Sequence, residues 1–165
     1  RVAGAAMADT SLTPSCYLAT LADETRGLVS VGSEDVDVAA ILGTSDKLLA
    51  AADPELARRW RMLGVCVAPF EAAAAAAIWN ESDADALEAG LEALLRRSLL
   101  GFDATARRYR MHDLLRDLAA ARRAPDDDAL ARRRHATHFL GVYQEAQRRY
   151  GAGHDEQLGG LRLYD

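Results

Sequence analysis

The sequence predicts a mainly α-helical protein in which three short helices run into a two-stranded β-hairpin, with further helices on either side. Apolar residues recur at helical spacing through much of the chain, as at Leu56, Trp60 and Leu63. Helix start signals are frequent, the clearest being Asp53-Pro54-Glu55, where aspartate can cap and proline loses no needed hydrogen bond. The period changes at Ser98, where two short runs separated by Asp103-Ala104-Thr105-Ala106 read as strands joined by a tight connection.

Taken in order, Arg1 to Ala8 reads as the tail of a helix whose beginning lies upstream, so the chain is expected to begin mid-protein. Tyr17 to Ala22 reads as a short helix after the Pro14 turn, and Gly27 to Ser33 as a linker. Val36 to Leu42 is a predicted helix ending at Gly43, a usual place for glycine. The helix opened by Asp53 carries Leu56, Trp60, Leu63 and Val67 on one stripe. Glu71 to Trp79 contains six consecutive alanines, strong helix formers that also permit close packing. Ser82 with Asp85 resembles a capping box for the helix Ala84 to Arg97, whose apolar stripe is Leu87, Leu91, Leu94 and Leu95. Ser98 to Phe102 and Arg107 to Met111 are the two strands of the hairpin. Three helices followed by such a hairpin is the order of a winged helix.

Asp113 is positioned to cap the helix Leu114 to Arg123, and Pro125-Asp126 separates it from a long helix, Ala129 to Tyr150. That helix is expected to dock through Ala131, His135, His138, Phe139, Val142, Ala146 and Tyr150. Gly151 to Gly160 reads as a connector, and Leu161 to Asp165 as the start of a further element. These readings divide the chain into 1–33, 34–123 and 124–165. No internal repeat is present.

Composition narrows the function classes. A chain of 165 residues, half apolar and 27% charged, has an ordinary globular make-up with enough length for a real core. The net charge of -5 argues against a general nucleic-acid binder. Cys16 and Cys66 lie far apart with no histidine at ligand spacing, so neither a zinc site nor a disulfide framework is indicated, and a reducing, cytoplasmic setting is expected. No apolar run approaches the roughly 20 residues of a membrane span.

Candidate chemistry concentrates at Met111-His112-Asp113, between the basic run Arg107-Arg108-Tyr109-Arg110 and the helix-like Leu114-Leu115-Arg116-Asp117-Leu118. An imidazole at a strand-to-helix junction stands where a phosphate can be held. The plainer reading is a histidine packed under the hairpin. Met111 is expected in the core, and Arg108 and Arg110 share one face of a strand, more simply solvated than bound to phosphate. His135 and His138, at i and i+3, could ligate a metal only with a third ligand from elsewhere; a packed face is the preferred reading. Arg132-Arg133-Arg134 reads as a solvated face. The carboxylates are expected to be scattered over exposed helix faces, and no nucleophilic triad or dyad has its local signature.

The order of these segments, with Leu56 to Val65, Pro69 to Trp79 and Leu94 to Leu100 ahead of Met111-His112-Asp113, resembles the winged-helix (ARC2-type) module of the NB-ARC class of STAND nucleotide-switch proteins. That superfamily includes plant resistance proteins, apoptosome ATPases and many bacterial regulators. On this resemblance Arg1 to Ala8 matches the end of an ARC1-like helix, Asp35 to Met111 the winged helix, and His135 to Asp165 the entry to a TPR-like superhelical arm. It implies that His112 contacts the β-phosphate of ADP, with Met111 and Asp113 completing the nucleotide-binding set and Asp113 acting indirectly by holding the histidine.

It further implies ADP/ATP as the cofactor of the intact protein, its own nucleotide-binding domain and arm as partners, and a protein effector as output. The chain departs from the pattern in carrying no glycine-rich phosphate loop with lysine and serine or threonine, and no magnesium-positioning aspartate strand, so this piece is not expected to be an enzyme by itself. Ser45-Asp46 and Cys66 also stand where the family commonly has tyrosine-containing and phenylalanine residues. Two other readings are a DNA-binding winged-helix regulator and a helical adaptor. Against the first, Glu81, Asp83, Asp85, Glu88 and Glu92 crowd the candidate recognition helix, with only Arg96 and Arg97 at its far end. The second leaves Met111-His112-Asp113 unexplained.

Overall fold

The computed structural model describes residues 33–152, with side chains from 43 onward. Helices α1 (Ser33–Ala52), α2 (Pro54–Leu63), α3 (Ala72–Trp79) and α4 (Ala84–Arg96) precede strands β1 (Gly101–Asp103) and β2 (Arg108–Arg110). Helices α5 (Asp113–Arg122) and α6 (Pro125–Ala152) follow. The protein is mainly helical with a hairpin wing. The expected helices at Arg1 to Ala8 and Tyr17 to Ala22, the linker before Ser33, Cys16, and the segment after Ala152 lie outside the described residues.

Helix α2 is the centre of the core. Asp53 caps it by accepting from Leu56 N at 2.9 Å, and Trp60, Met62 and Leu63 are fully buried. It packs against α1, α3, α5 and α6. The stripe stops at Leu63: the chain leaves the helix at Gly64, so Val67 is 80% exposed instead of continuing the apolar face. Gly64 is required by close approach. A Cβ there would lie 3.0 Å from Ala119 Cβ and 3.1 Å from Arg123 Nη1.

Gly43 does not end its helix; α1 runs through it to Ala52. A mid-helix glycine costs about 1 kcal/mol, and here tertiary bonds hold the segment. Arg122 Nη1 donates to Gly43 O at 3.1 Å, and the next turn carries Asp46, 1% exposed. Arg61 grips this carboxylate with two bonds, Nε to Oδ1 at 2.8 Å and Nη2 to Oδ2 at 3.0 Å, while Arg122 Nη1 reaches Oδ2 at 2.9 Å. One buried aspartate thus joins α1, α2 and α5. A neighbouring arginine, Arg123, donates to Arg61 O at 2.9 Å and to Asp128 Oδ1, tying α2 to the first turn of α6. The carboxylates are therefore not all on exposed faces.

Two helix starts and the wing differ in detail from the sequence expectations. Asp83, not Ser82, caps α4, accepting from Asp85 N at 2.9 Å; its own N–H is taken by Glu81, which Arg59 also holds. The hairpin pairs Phe102 with Tyr109 and is shorter than predicted, because Ser98 N and Leu99 N bond back to Leu95 O and Leu94 O at the end of α4; the turn itself is made by Asp103 Oδ1, which accepts from Thr105 N and Ala106 N. Sequence reasoning missed Phe70, which exchanges two 2.8 Å backbone bonds with Tyr109 and so pins β2 to the segment before α3.

Helix α6 starts at Pro125, four residues before its expected start at Ala129, and three aspartates in its first turn suit the helix dipole. It lies along α3, where alanines allow close contact, with Ala131 fully buried. Arg134 Nη1 bonds Ile78 O at 3.0 Å, so the Arg132-Arg133-Arg134 run is not wholly solvated. Of the residues expected on its docked face, Ala131 and Ala146 are buried and His135, His138 and Val142 half-buried, joined by Arg134, whereas Phe139 and Tyr150 are 41% and 47% exposed. Among the described residues no helix is long and apolar enough to cross a membrane.

Removing the buried carboxylate leaves two guanidinium groups without their acceptor. Asp46→Ala should lower stability by about 3 kcal/mol, read as a lower urea midpoint; an unchanged midpoint would show the clamp to be dispensable. Gly64→Ala should cost about 1 kcal/mol or more through overpacking against Ala119, and a midpoint equal to wild type would refute the close approach.

Candidate functional site

The junction between β2 and α5 holds the Met111-His112-Asp113 set. Met111 is buried in the core, which anchors the junction from beneath. His112 has extended backbone (φ -64°, ψ 145°) and is exposed. It is the N-cap of α5: its Nδ1 accepts from Leu114 N at 3.3 Å, while its carbonyl accepts from Arg116 N at 2.9 Å. A ring that accepts at Nδ1 carries its proton on Nε2, leaving that N–H as the outward donor.

The expected role of Asp113 is corrected by this geometry. Its carboxylate does not cap α5 but takes Arg116 Nη1 at 2.7 Å one turn on. Histidine supplies the cap because its Nδ1 stands at the same distance from the backbone as an asparagine oxygen, a possibility that preference for Asp or Asn at caps conceals. Asp113, at the first helical position, is left to favour the dipole.

The sequence-predicted pair His135 and His138 brackets a ring. Phe139 lies 4.6 Å from the His135 centroid and 5.0 Å from that of His138. Burial, helped by the neighbouring His138, pushes the His135 imidazole below its ordinary pKa, so it is biased to the neutral form. Among the described residues no group of three His, Cys, Asp or Glu side chains converges as a metal site.

Cys66 is 4% exposed, and burial pushes its thiol up to about 12. Arg108 of β2 stands 3.9 Å from Glu71, while Arg110 is exposed beside Gly101. On α4, Asp83, Asp85, Glu88 and Glu92 are exposed, so the acidic surface read from the sequence is present.

A helical module with a pinned hairpin and an exposed histidine capping the next helix is what the fold presents. No family model matches the chain, and no solved structure matches it. Over 121 residues, 73% of its length, the chain is 36% identical to the regulatory protein AfsR of Streptomyces griseus, and it spans 12% of that protein's length.

The buried thiol generates a direct expectation, since only a thiolate reacts readily. In the folded chain at pH 8, site-resolved mass spectrometry should find Cys66 unmodified by iodoacetamide after treatment that alkylates it fully in urea. Rapid labelling of native Cys66 would contradict its burial.

Proposed function

We propose that this chain is the winged-helix regulatory module of a STAND nucleotide switch of the NB-ARC type, and that in the intact protein His112 contacts bound ADP. The observation that carries the reading is the exposed His112 ring at the β2 to α5 junction, whose Nδ1 is occupied by the cap bond so that Nε2 is the nitrogen left to donate. A regulatory role is also supported by the similarity to a protein whose name describes it as regulatory. The chain supplies no phosphate loop of its own, so nucleotide binding and any hydrolysis belong to a preceding domain, which is also its first partner. The residues from α6 onward lead into a TPR-like arm, and the output is a protein effector in the reducing cytoplasm.

In mechanism, the cap bond sets the ring, Met111 fixes the backbone beneath it, and Nε2–H would be the group that holds a phosphate oxygen in the closed state. Because the contact exists only there, it biases the equilibrium towards closure. Without that contact, His112 would no longer favour closure and the module would be free to swing. DNA reading by α4 is the weaker alternative, because its cap residue Asp83 and first-turn Asp85 would be set against phosphates.

The test uses the full-length protein. His112→Asn keeps a good cap but lacks the distal donor, so ADP should leave roughly ten- to a hundred-fold faster, the loss of one hydrogen bond with charged character. Asp113→Ala should leave the ADP off-rate near wild type, since Asp113 pairs with Arg116 and does not hold the ring. An unchanged off-rate in His112→Asn would reduce His112 to a cap residue.

A further inference from the structure

Between the segment 66–71 and the α6 turns from His135 to Tyr143 lies a cleft of about 510 Å³, with Arg108 of β2 at its edge. Its floor is apolar, made by buried Phe70 and Ala74. Its rim exposes apolar surface, with Val67 80% and Phe139 41% accessible. Neither position serves the core, and neither belongs to the His112 site.

Three side chains on this lining, Arg108, His135 and His138, donate no hydrogen bond to an acceptor among the described residues. The nearest carboxylate to the half-buried Arg108 guanidinium is Glu71 at 3.9 Å, beyond hydrogen-bond reach. Neither imidazole, His135 nor His138, makes a hydrogen bond among the described residues, and each packs against the Phe139 ring. Half-buried donors normally find a partner in protein or solvent. Glu71, the single carboxylate on the lining, is 66% exposed at its side chain, so the cleft favours an anion in a protein of net charge -5. The volume falls within the roughly 300–1,000 Å³ of small-ligand sites.

We propose that this cleft binds a small amphiphilic anion, a carboxylate or phosphate on an aromatic or aliphatic body. The anionic end meets Arg108 and the imidazole N–H donors, and the body lies between Val67, Phe139 and Val142. Such a ligand would span the wing and the long helix, as an effector that fixes one against the other. The proposal is independent of nucleotide binding at His112.

The test is a titration of the full chain, isotopically labelled, with indole-3-acetate and with phenyl phosphate, followed by NMR of backbone amides and histidine rings. At least one probe should give saturable shifts confined to 66–71, Arg108 and 135–143, with Kd below about 1 mM. Indole alone and inorganic phosphate alone should bind at least about tenfold more weakly, because each meets half of the site. Arg108→Gln should weaken the probe roughly ten- to a hundred-fold, and Phe139→Ala should weaken it without unfolding, both side chains being partly exposed. Absence of saturation up to about 10 mM, equal binding by inorganic phosphate, or unchanged binding in Arg108→Gln would overturn the proposal. So would a concentration-dependent dimer that the probes fail to displace, which would give the cleft to a second copy of the chain.

Discussion

The fold depends on one buried carboxylate. Asp46 is withdrawn from water in α1 and would be strongly unfavourable there alone. Arg61 from α2 and Arg122 from α5 make it acceptable by filling both oxygens, Arg61 through the planar two-point grip that lysine cannot provide. The consequence is geometric. A bidentate pair holds its partners in one register, so α1 can meet α2 and α5 in few other arrangements. The same logic continues through Arg123, whose guanidinium joins the end of α2 to the first turn of α6. Four of the helices are thus indexed by charge, while apolar packing supplies the bulk of the stabilisation.

That packing depends on small residues where elements approach. Gly64 admits Ala119 and the Arg123 head group, and Gly90 comes within 3.2 Å of the Trp79 ring, measured to the Cβ it lacks. The alanines of α3 do the same for α6. Large residues then fill what remains: Trp60 is fully buried, and its indole N–H has no hydrogen-bond partner among the described residues. Such an orphan donor costs about 1–3 kcal/mol, less than the ring gains by burial beside the rest of the core. Trp79 instead donates to Arg59 O at 2.8 Å, with the Arg59 guanidinium over its ring.

Much of this was legible in the sequence. The Asp53-Pro54 start, the order of helices and the change of period at Ser98 follow from local chemistry, and the structure has them. What escaped was non-local. Whether Gly43 ends a helix depends on Arg122, seventy-nine residues on in sequence, donating to its carbonyl. Whether Asp46 is solvated depends on two arginines from other helices. Both Asp46 and Cys66 were visible as departures from the resembling family's aromatic positions, and the structure explains how they are accommodated: one by an ion-pair clamp, the other by simple burial. The strongest local pattern also misled at the site, because aspartate at position 113 looks like a better cap than histidine at 112, yet the cap position is fixed by where β2 delivers the chain.

Strand β2 is the element on which both sites bear. Arg108 stands at its start and His112 just beyond its end, about 13 Å apart along an extended chain. Between them Tyr109 is locked to Phe70 by two backbone bonds, stacked on Phe70 and packed against Phe102, so the strand cannot shift without moving the floor of the cleft. Proximity alone does not couple two sites. Coupling requires that a ligand in the cleft bind the closed and open arrangements with different affinity, and it then acts back on the cleft by the same factor. The arrangement meets the structural part of that requirement, since the cleft has one wall on α6 and another on the segment bonded to β2. A movement of α6 relative to the wing would change the cleft's width, because Phe70 stays bonded to β2 while α6 carries the opposite wall. A ligand that prefers one width would therefore bias the position of α6 against the hairpin to which Phe70 is bonded.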